Sequence, residues 1–205
     1  MASLKQSALA GNVEAQGKLG EMYAIGQGVP RSLPEAAKWF RMAAEQGDSA
    51  AQAKLGLMYI AGFGVPADKS QGLAWYKKAA AQGNLDAMLG LGNLYEQGTA
   101  VPKSMLEASN WYKKAAEAGN VTAQLKLGDI YRSGVDNVPH DYAQAMKWYR
   151  KAAEQGSGEG DFYVGYMYQE GLGVTVNTEE AANWYTKAVQ DKYPSARIAL
   201  RNLGR

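Results

Sequence analysis

Residues 49–83 read SAAQAKLGLMYIAGFGVPADKSQGLAWYKKAAAQG, and this arrangement recurs along the whole chain. Leu55, Gly56 and Tyr59 mark its first half, and the same three residue types stand 36 positions earlier and 36 positions later. Self-similarity at a period of roughly 20–50 residues is typical of repeat arrays. The second half contains a tryptophan that keeps the same interval, apart from one interval of 37 residues: Trp39, Trp75, Trp111, Trp148, Trp184.

Each unit predicts two helices, named helix A and helix B in chain order. In the first half, Ala51, Leu55 and Tyr59 follow a spacing of four residues and therefore form one apolar stripe on a helix. A glycine suited to a left-handed turn ends helix A in the five units: Gly26, Gly62, Gly98, Gly134, Gly171. Helix B begins with an oxygen-bearing cap and a Glu or Gln three residues later: Ser32 with Glu35, Asp68 with Gln71, Ser104 with Glu107, Asp141 with Gln144, Asn177 with Glu180.

The spaced residues of the unit form the pattern Ala51-xxx-Leu55-Gly56-xx-Tyr59-xx-Gly62-x-Gly64-Val65 and Gly72-xx-Trp75-Tyr76-xx-Ala79-Ala80-xx-Gly83. This pattern resembles the Sel1-like repeat family, which is related to the tetratricopeptide repeats. The resemblance covers nearly the whole chain and implies an all-α, right-handed α/α superhelical solenoid. Local departures are Ala100 for a loop glycine, Asp136 and Asn137 in a lengthened loop, and Val189 and Lys192 for a late alanine and glycine.

The predicted solenoid is one domain over residues 1–205, with a half-repeat at each end. Its N-terminal half-repeat covers 1–11, where the chain starts inside a repeat, either at a reduced cap or because a longer protein was cut. A polar capping helix, as terminal repeats need for solubility, covers 193–205. The five full repeats between them are 12–47, 48–83, 84–119, 120–156 and 157–192.

The composition argues against several partner classes. The 22 Lys and Arg against 20 Asp and Glu give a net charge of +2, so no overall field calls for nucleic acid. Without cysteine there are no disulfides, and the cysteine-rich variety of the family is excluded. No apolar run approaches the ~20 residues of a membrane span. The opening residues do not form a signal peptide, so the compartment is unknown, and a periplasmic or secreted protein stays possible if an N-terminal segment was removed.

The sequence predicts no catalytic residue, no metal site and no cofactor. His140 is the single histidine and stands in the lengthened loop, where we expect it to be solvated. The Gly-x-Gly pairs follow helices, whereas a dinucleotide site requires a preceding strand. The Trp-Tyr and Trp-Phe pairs are expected to be core because they recur on one stripe of helix B. The lysines and arginines of the helices B are expected to form a solvated outer face.

The candidate binding surface lies on helix A, opposite the packing stripe. In related helical repeats this side lines a concave groove. Over the five units it carries six acids and one base, which predicts a basic patch on the partner protein. Its apolar residues belong either to a binding site or to contacts between neighbouring helices A. The candidate site residues are Leu57, Ile60, Leu89, Asn93, Glu96, Asp129, Arg132, Phe162, Tyr166 and Gln169.

The resemblance implies a non-catalytic adaptor or scaffold that binds another protein, as in bacterial regulation, envelope assembly or host interaction, or in eukaryotic membrane-protein degradation. An alternative is an immunity protein that neutralises a secreted toxic enzyme. A third hypothesis, β-lactam hydrolysis, rests only on the association of cysteine-rich relatives with that activity. We expect the helices A of repeats three to five to carry most of the binding, since the first repeat offers no large anchor residue.

Overall fold

A computed structural model describes residues 2–204 of the chain. In these residues the regular structure is helical, apart from one isolated antiparallel bridge between Val135 and Val138. The all-α prediction is therefore confirmed. The twelve helices found there are α1 (Ala2–Leu9), α2 (Val13–Ile25), α3 (Leu33–Glu45), α4 (Ser49–Ala61), α5 (Lys69–Ala81), α6 (Leu85–Gln97), α7 (Met105–Glu117), α8 (Val121–Ser133), α9 (Tyr142–Glu154), α10 (Gly158–Glu170), α11 (Thr178–Gln190) and α12 (Ala196–Asn202).

The helices form two compact units that divide between Lys103 and Ser104. The N-terminal unit contains α1 to α6, and the C-terminal unit contains α7 to α12. Within each unit, every helix packs against the next one in the chain. The even-numbered helices α2 to α10 are the helices A, and the odd-numbered helices α3 to α11 are the helices B. A single continuous solenoid stays a prediction.

The predicted caps position both helices of each repeat. In the second repeat, Gln71 donates its backbone N–H to one carboxylate oxygen of Asp68 and its side-chain amide to the other, at 2.9 Å each. These bonds hold the pKa of Asp68 below its usual value. Gly62 ends α4 in the left-handed region, at φ 72 and ψ 31, and three other repeats end helix A in the same way: Gly26, Gly98, Gly171.

The fourth repeat departs from this pattern. Gly134 has φ 62 but ψ 128, so the prediction of a left-handed helix end is wrong at this position. The reason is that the loop of this repeat is one residue longer than the others. Its residues 135–138 form a tight turn that is closed by two backbone hydrogen bonds between Val135 and Val138. Asp136 takes a positive φ of 47 within that turn. The extra residue is therefore absorbed in the loop, and the following helix α9 keeps the 13 residues of its neighbours.

A glycine on helix A packs against an aromatic ring on helix B within each of four repeats. A Cβ built at Gly165 would lie 2.9 Å from the ring of Tyr185, and one built at Gly20 would lie 2.6 Å from the ring of Phe40. Real Cβ atoms essentially never approach so closely, so the two helices lie too close together at this point for any residue other than glycine. The four pairs are Gly20 with Phe40, Gly56 with Tyr76, Gly128 with Tyr149, and Gly165 with Tyr185.

The prediction that all five tryptophans are core residues is wrong for three of them. Trp39 and Trp148 are buried, whereas Trp75, Trp111 and Trp184 are only half-buried. A lysine contacts each of these three rings, with its Nζ 4.4 Å from the ring centre of Trp75, 4.0 Å from that of Trp111 and 4.0 Å from that of Trp184. The residue after each tryptophan is buried in all five repeats: Phe40, Tyr76, Tyr112, Tyr149, Tyr185.

Pairs of glutamines join successive repeats. Gln52 in α4 donates its side-chain amide to the backbone oxygen of Ala44, at 3.0 Å, and accepts a hydrogen bond of 2.8 Å from Gln82 at the end of α5. Gln16 with Gln46 and Gln124 with Gln155 repeat this arrangement. Because Gln16 binds the backbone oxygen of Ala8, α1 occupies the place of the end of a helix B.

We expect Gly128→Ala to lower the free energy of unfolding by about 1–3 kcal/mol, because the added methyl group overpacks the contact with Tyr149. Gly17→Ala is the matched control, since a Cβ at Gly17 meets nothing within 4 Å. This control should stabilise the protein by about 1 kcal/mol through helix propensity alone. Urea unfolding of both variants measures whether each change in the free energy of unfolding is a loss or a gain. Equal stabilisation by both variants would contradict the packing argument.

Tyr112→Ala should destabilise the protein more than Trp111→Ala does. The side chain of Tyr112 is fully buried, so its truncation should cost about 3–5 kcal/mol. Trp111 is half-buried and loses less contact area. Urea midpoints of the two variants test this order, and a larger loss for Trp111→Ala would restore the sequence-based view of the core.

Candidate protein-binding surface

The ten predicted site residues divide between the two units. Leu57 lies on α4 and 48% of its surface is exposed, which makes it the most open of the set. The other nine are half-buried. In the N-terminal unit the predicted residues are Leu57, Ile60, Leu89, Asn93 and Glu96, and in the C-terminal unit they are Asp129, Arg132, Phe162, Tyr166 and Gln169.

An apolar cavity of about 340 Å³ opens beside Leu57 in the N-terminal unit. Two exposed hydrophobic residues stand at its edge: Ile25 is 68% exposed and Phe63 is 50% exposed. The cavity lies between α2, α3, α4 and the turn after α4, and the residues that line it are Glu21, Ala24, Ile25, Leu33, Phe40, Lys54, Leu57, Met58 and Phe63.

Sequence reasoning missed Ile25 and Phe63 at the edge of this cavity. Ile25 and Phe63 stand next to the turn glycines Gly26 and Gly62, outside the helix-A positions that were considered. A signal was nevertheless present, because the positions equivalent to Ile25 in the other repeats hold small or polar residues: Ala61, Gln97, Ser133, Glu170. An exposed isoleucine at a position that packing does not use is the kind of residue that marks a contact surface.

A second depression, of about 320 Å³, lies on the other side of Leu57. Lys54 and Leu57 line both cavities. Lys54 is paired with Glu21 at 3.3 Å and lies 5.7 Å from the ring centre of Phe40, so its charge is partly satisfied within the protein. The residues lining the second depression are Ala53, Lys54, Leu57, Tyr76, Asp86, Leu89, Gly90 and Asn93. The two depressions together are named the α4 groove.

The electrostatics of the second depression depend on Tyr76 and Asp86. Burial raises the pKa of Tyr76 to about 12, and the nearby carboxylate of Asp86 contributes to the shift. The tyrosine is therefore neutral at physiological pH. Asp86 itself is exposed at the edge of the groove. The α4 groove thus combines an apolar floor with an accessible acidic group.

In the C-terminal unit, Asp129 and Arg132 are held in a network that spans three helices. Tyr149 of α9 donates its hydroxyl to Asp129 at 2.8 Å, and Arg132 donates to the Tyr149 oxygen at 3.1 Å. Asp129 and Arg132 form an ion pair of 3.4 Å. The guanidinium also lies 5.3 Å from the ring centre of Tyr163 in α10, and this ring stacks on Tyr149 at 4.8 Å. Burial, reinforced by the Asp129 carboxylate, raises the pKa of Tyr149.

Other predicted site residues are also engaged in packing. Phe162 lies 5.4 Å from the ring centre of Tyr185 and 5.0 Å from that of Tyr193. Gln169 accepts a hydrogen bond of 2.9 Å from the hydroxyl of Tyr185. Ile60 fills the space beside Gly72, because a Cβ there would lie 2.7 Å from its side chain. These three residues hold helix A on helix B, so they serve the fold at least in part.

The described residues 2–204 contain no group of three or more His, Cys, Asp or Glu side chains that would hold a metal ion. His140 is exposed in its loop, and its ring centre lies 5.2 Å from that of Tyr142. Among the described helices, none has the length and apolar character required to cross a membrane. The α4 groove is the candidate binding surface because it combines two cavities with the exposed apolar side chains of Ile25, Leu57 and Phe63.

Comparison with known proteins gives five consecutive matches to the family model of the Sel1 repeat, at residues 13–48, 49–84, 85–120, 121–157 and 158–192. Curated proteins show no significant match to the sequence. Each of the five matched segments begins one residue after the predicted repeat, so the predicted period and the family model agree.

Solved structures with the same fold include proteins from three bacteria. A protective antigen of uropathogenic Escherichia coli, described with an SLR fold, is 33% identical over 96% of this chain and 42% of its own, with a TM-score of 0.89. The chain thus spans less than half of that protein. A Sel1 repeat protein from Oxalobacter formigenes is 35% identical over 91% of this chain and 76% of its own, with a TM-score of 0.82. An immunity protein from Pseudomonas aeruginosa is 20% identical over 88% of this chain and 67% of its own, with a TM-score of 0.52. At this identity the comparison shows only that the two folds are alike.

We expect Asp129→Ala to lower the free energy of unfolding by about 1–3 kcal/mol, since it leaves the buried Tyr149 hydroxyl without its acceptor. Tyr149→Phe removes the donor, so Asp129→Ala in that background should cost much less. A double-mutant cycle by urea unfolding measures this coupling. Additive losses would show that Asp129 and Tyr149 are not energetically coupled, and this contact would then no longer argue against Asp129 as a binding residue.

Proposed function

Because the chain belongs to the Sel1 repeat family, we propose that it is a non-catalytic scaffold that binds a partner protein on the helix-A surface. Proteins of this family are generally protein-interaction scaffolds. The observation that carries the proposal is the α4 groove, where the exposed side chain of Leu57 stands between two cavities of about 340 and 320 Å³.

The proposed main anchor site lies in repeats one to three. The sequence favoured repeats three to five, but two features of the structure support the shift toward the N-terminal unit. Asp129 and Arg132 satisfy each other within the protein, which reduces what they offer to a partner. Ile25 and Phe63, in contrast, expose apolar surface next to an apolar cavity. Burial of such surface is the main favourable term in most protein association.

The partner is proposed to insert an apolar side chain beside Leu57 and to place a basic group near Asp86. Asp86 is exposed at the edge of the second depression. Exposed charges of this kind mainly steer association and are screened by salt. The rate of association should therefore fall as the ionic strength rises, while the apolar anchor keeps most of the affinity.

The other predicted site residues keep supporting roles in this proposal. Leu89 and Asn93 line the second depression, and Ile60 and Glu96 follow on the same helix faces. In the C-terminal unit, Tyr166 is half-buried and offers the aromatic surface that is common at binding hot spots. Phe162 and Gln169 hold that part of helix α10 in position through Tyr185.

A photo-crosslinking amino acid at position 57, with the same group at position 77 as control, tests the proposal in cells that carry the protein. Lys77 is exposed on helix B of the same unit and lines neither depression. We expect an adduct with one or a few defined proteins from position 57 and not from position 77. Mass spectrometry of the adduct then identifies the partner. A toxic enzyme would support the immunity-protein alternative over an adaptor.

With the purified partner, Leu57→Asp should weaken the Kd at least tenfold, because a charge replaces the apolar anchor. The thermal midpoint should change little, since Leu57 is 48% exposed and is not part of the buried core. Lys77→Glu is the matched control and should keep full affinity in isothermal calorimetry. If Leu57→Asp binds normally and Lys77→Glu does not, the working surface is that of the helices B.

A further inference from the structure

The last repeat replaces a neutral side-chain pair by two acids. In three other repeats, a glutamine of helix A accepts a hydrogen bond from a glutamine at the end of the following helix B, as Gln52 does from Gln82. The third repeat has Met88 and Ala118 at these two positions. The fifth repeat has Asp161 and Asp191. Both members therefore change together along the chain, which indicates that they act as a pair.

Asp161 is buried at this junction. Only 3% of its surface is exposed. The carboxyl group of Asp191, the residue at the end of α11, lies beside it and lines the same cavity. An ionised carboxylate accepts hydrogen bonds but has none to donate. Two carboxyl groups therefore bond to each other only while one of them keeps a proton. A glutamine pair has its own N–H donors and needs no proton.

Few charges compensate the pair. Glu154 at the end of α9 lines the same cavity, of about 240 Å³, and adds negative charge. Lys187 of α11 is the cation that lines it, and its ammonium lies 4.0 Å from the ring centre of Trp184. Burial, the hydrogen bond and the charge of Asp191 together raise the pKa of Asp161 to about 6, and Lys187 opposes this shift only in part.

The turn after Asp191 packs closely against α10 and contains a residue with an unusual backbone conformation. A Cβ built at Gly158 in α10 would lie 2.9 Å from the Cβ of Asp191 and 3.2 Å from that of Tyr193. Between them, Lys192 takes φ 61, where the other repeats place glycines. A side chain in this left-handed region is strained. The turn that leads into α12 therefore packs against α10 at Gly158 and Phe162.

We propose that Asp161 and Asp191 form a proton-dependent latch that holds the end of α11 and the following turn against α10. The latch is closed while the pair shares a proton, and it weakens when both carboxyl groups are ionised. Loss of the proton places two negative charges side by side, one on the buried Asp161 and one on the exposed Asp191, with Glu154 nearby. The turn at Lys192 then separates from α10 more readily, and α12 with it.

The direction of the pH dependence follows from the raised pKa. The ordinary pKa of an Asp, as in the unfolded chain, is 3.8, and burial beside Asp191 raises the pKa of Asp161 to about 6 in the folded protein. The folded state therefore binds more protons between these two values. The stability that the raised pKa of Asp161 gives the folded state is fully present below pH 3.8 and is lost as the pH rises through about 6. This is the reverse of the usual behaviour of an ion-paired aspartate.

Carbon-detected NMR titration of the aspartate carboxyl groups in the full chain tests the latch directly. We expect the midpoint of Asp161 well above that of an exposed aspartate, and we expect Asp191→Asn to lower it by removing the neighbouring charge. An Asp161 midpoint at the ordinary value would overturn the proposal. So would an unchanged midpoint in Asp191→Asn.

Thermal unfolding and hydrogen exchange test the consequence. The variant Asp161→Gln/Asp191→Gln restores the pair found in other repeats. Relative to this variant, the wild-type thermal midpoint should fall between pH 4.5 and 7.5, and protection factors of residues 191–200 should fall with it. The reciprocal variant Gln124→Asp/Gln155→Asp should acquire a similar pH dependence in the fourth repeat. Identical pH profiles of wild type and the Asp161→Gln/Asp191→Gln variant would show that the two acids do not form a latch.

Discussion

The structure depends on the contact between a glycine of helix A and an aromatic ring of helix B. In the fourth repeat, the ring of Tyr149 lies where a side chain at Gly128 would have to stand. This contact brings the two helices close together and buries the ring of Tyr149 completely. The glycine costs helix propensity, about 1 kcal/mol, and the burial of a ring more than offsets this loss. The same pair recurs in four of the five repeats, so these four helix pairs are spaced in the same way.

This spacing also determines which surfaces are left for binding. Because the rings face helix A from one side, the opposite side of helix A is not needed within the pair. In the N-terminal unit that side is left with cavities beside Leu57. In the C-terminal unit, larger aromatic residues fill the equivalent space, and Tyr163 and Phe162 join the core. One repeat pattern thus gives an open groove in one unit and a packed aromatic cluster in the other.

The junction between repeats shows how an array tolerates change. The glutamine pairs satisfy the backbone oxygen at the end of the preceding helix B and join one repeat to the next. Their replacement by Asp161 and Asp191 keeps the size of the side chains roughly similar but makes the contact dependent on a proton. In a repeat protein each junction involves only near neighbours, so one junction can change its chemistry without disturbing the others.

The sequence by itself determined the period, the helix pairs and their ends, because caps, turn glycines and apolar stripes act over a few residues. Ser32 and Asp68 cap their helices as predicted. Tertiary structure alone decided which aromatic residue is core: Trp111 and Tyr112 are neighbours in sequence, but they point about 100° apart on the helix, and only packing selects between them. It likewise decided that Asp129 is held by Tyr149 and that Ile25 and Phe63 border a cavity. These contacts join residues of different helices, and no local pattern specifies them.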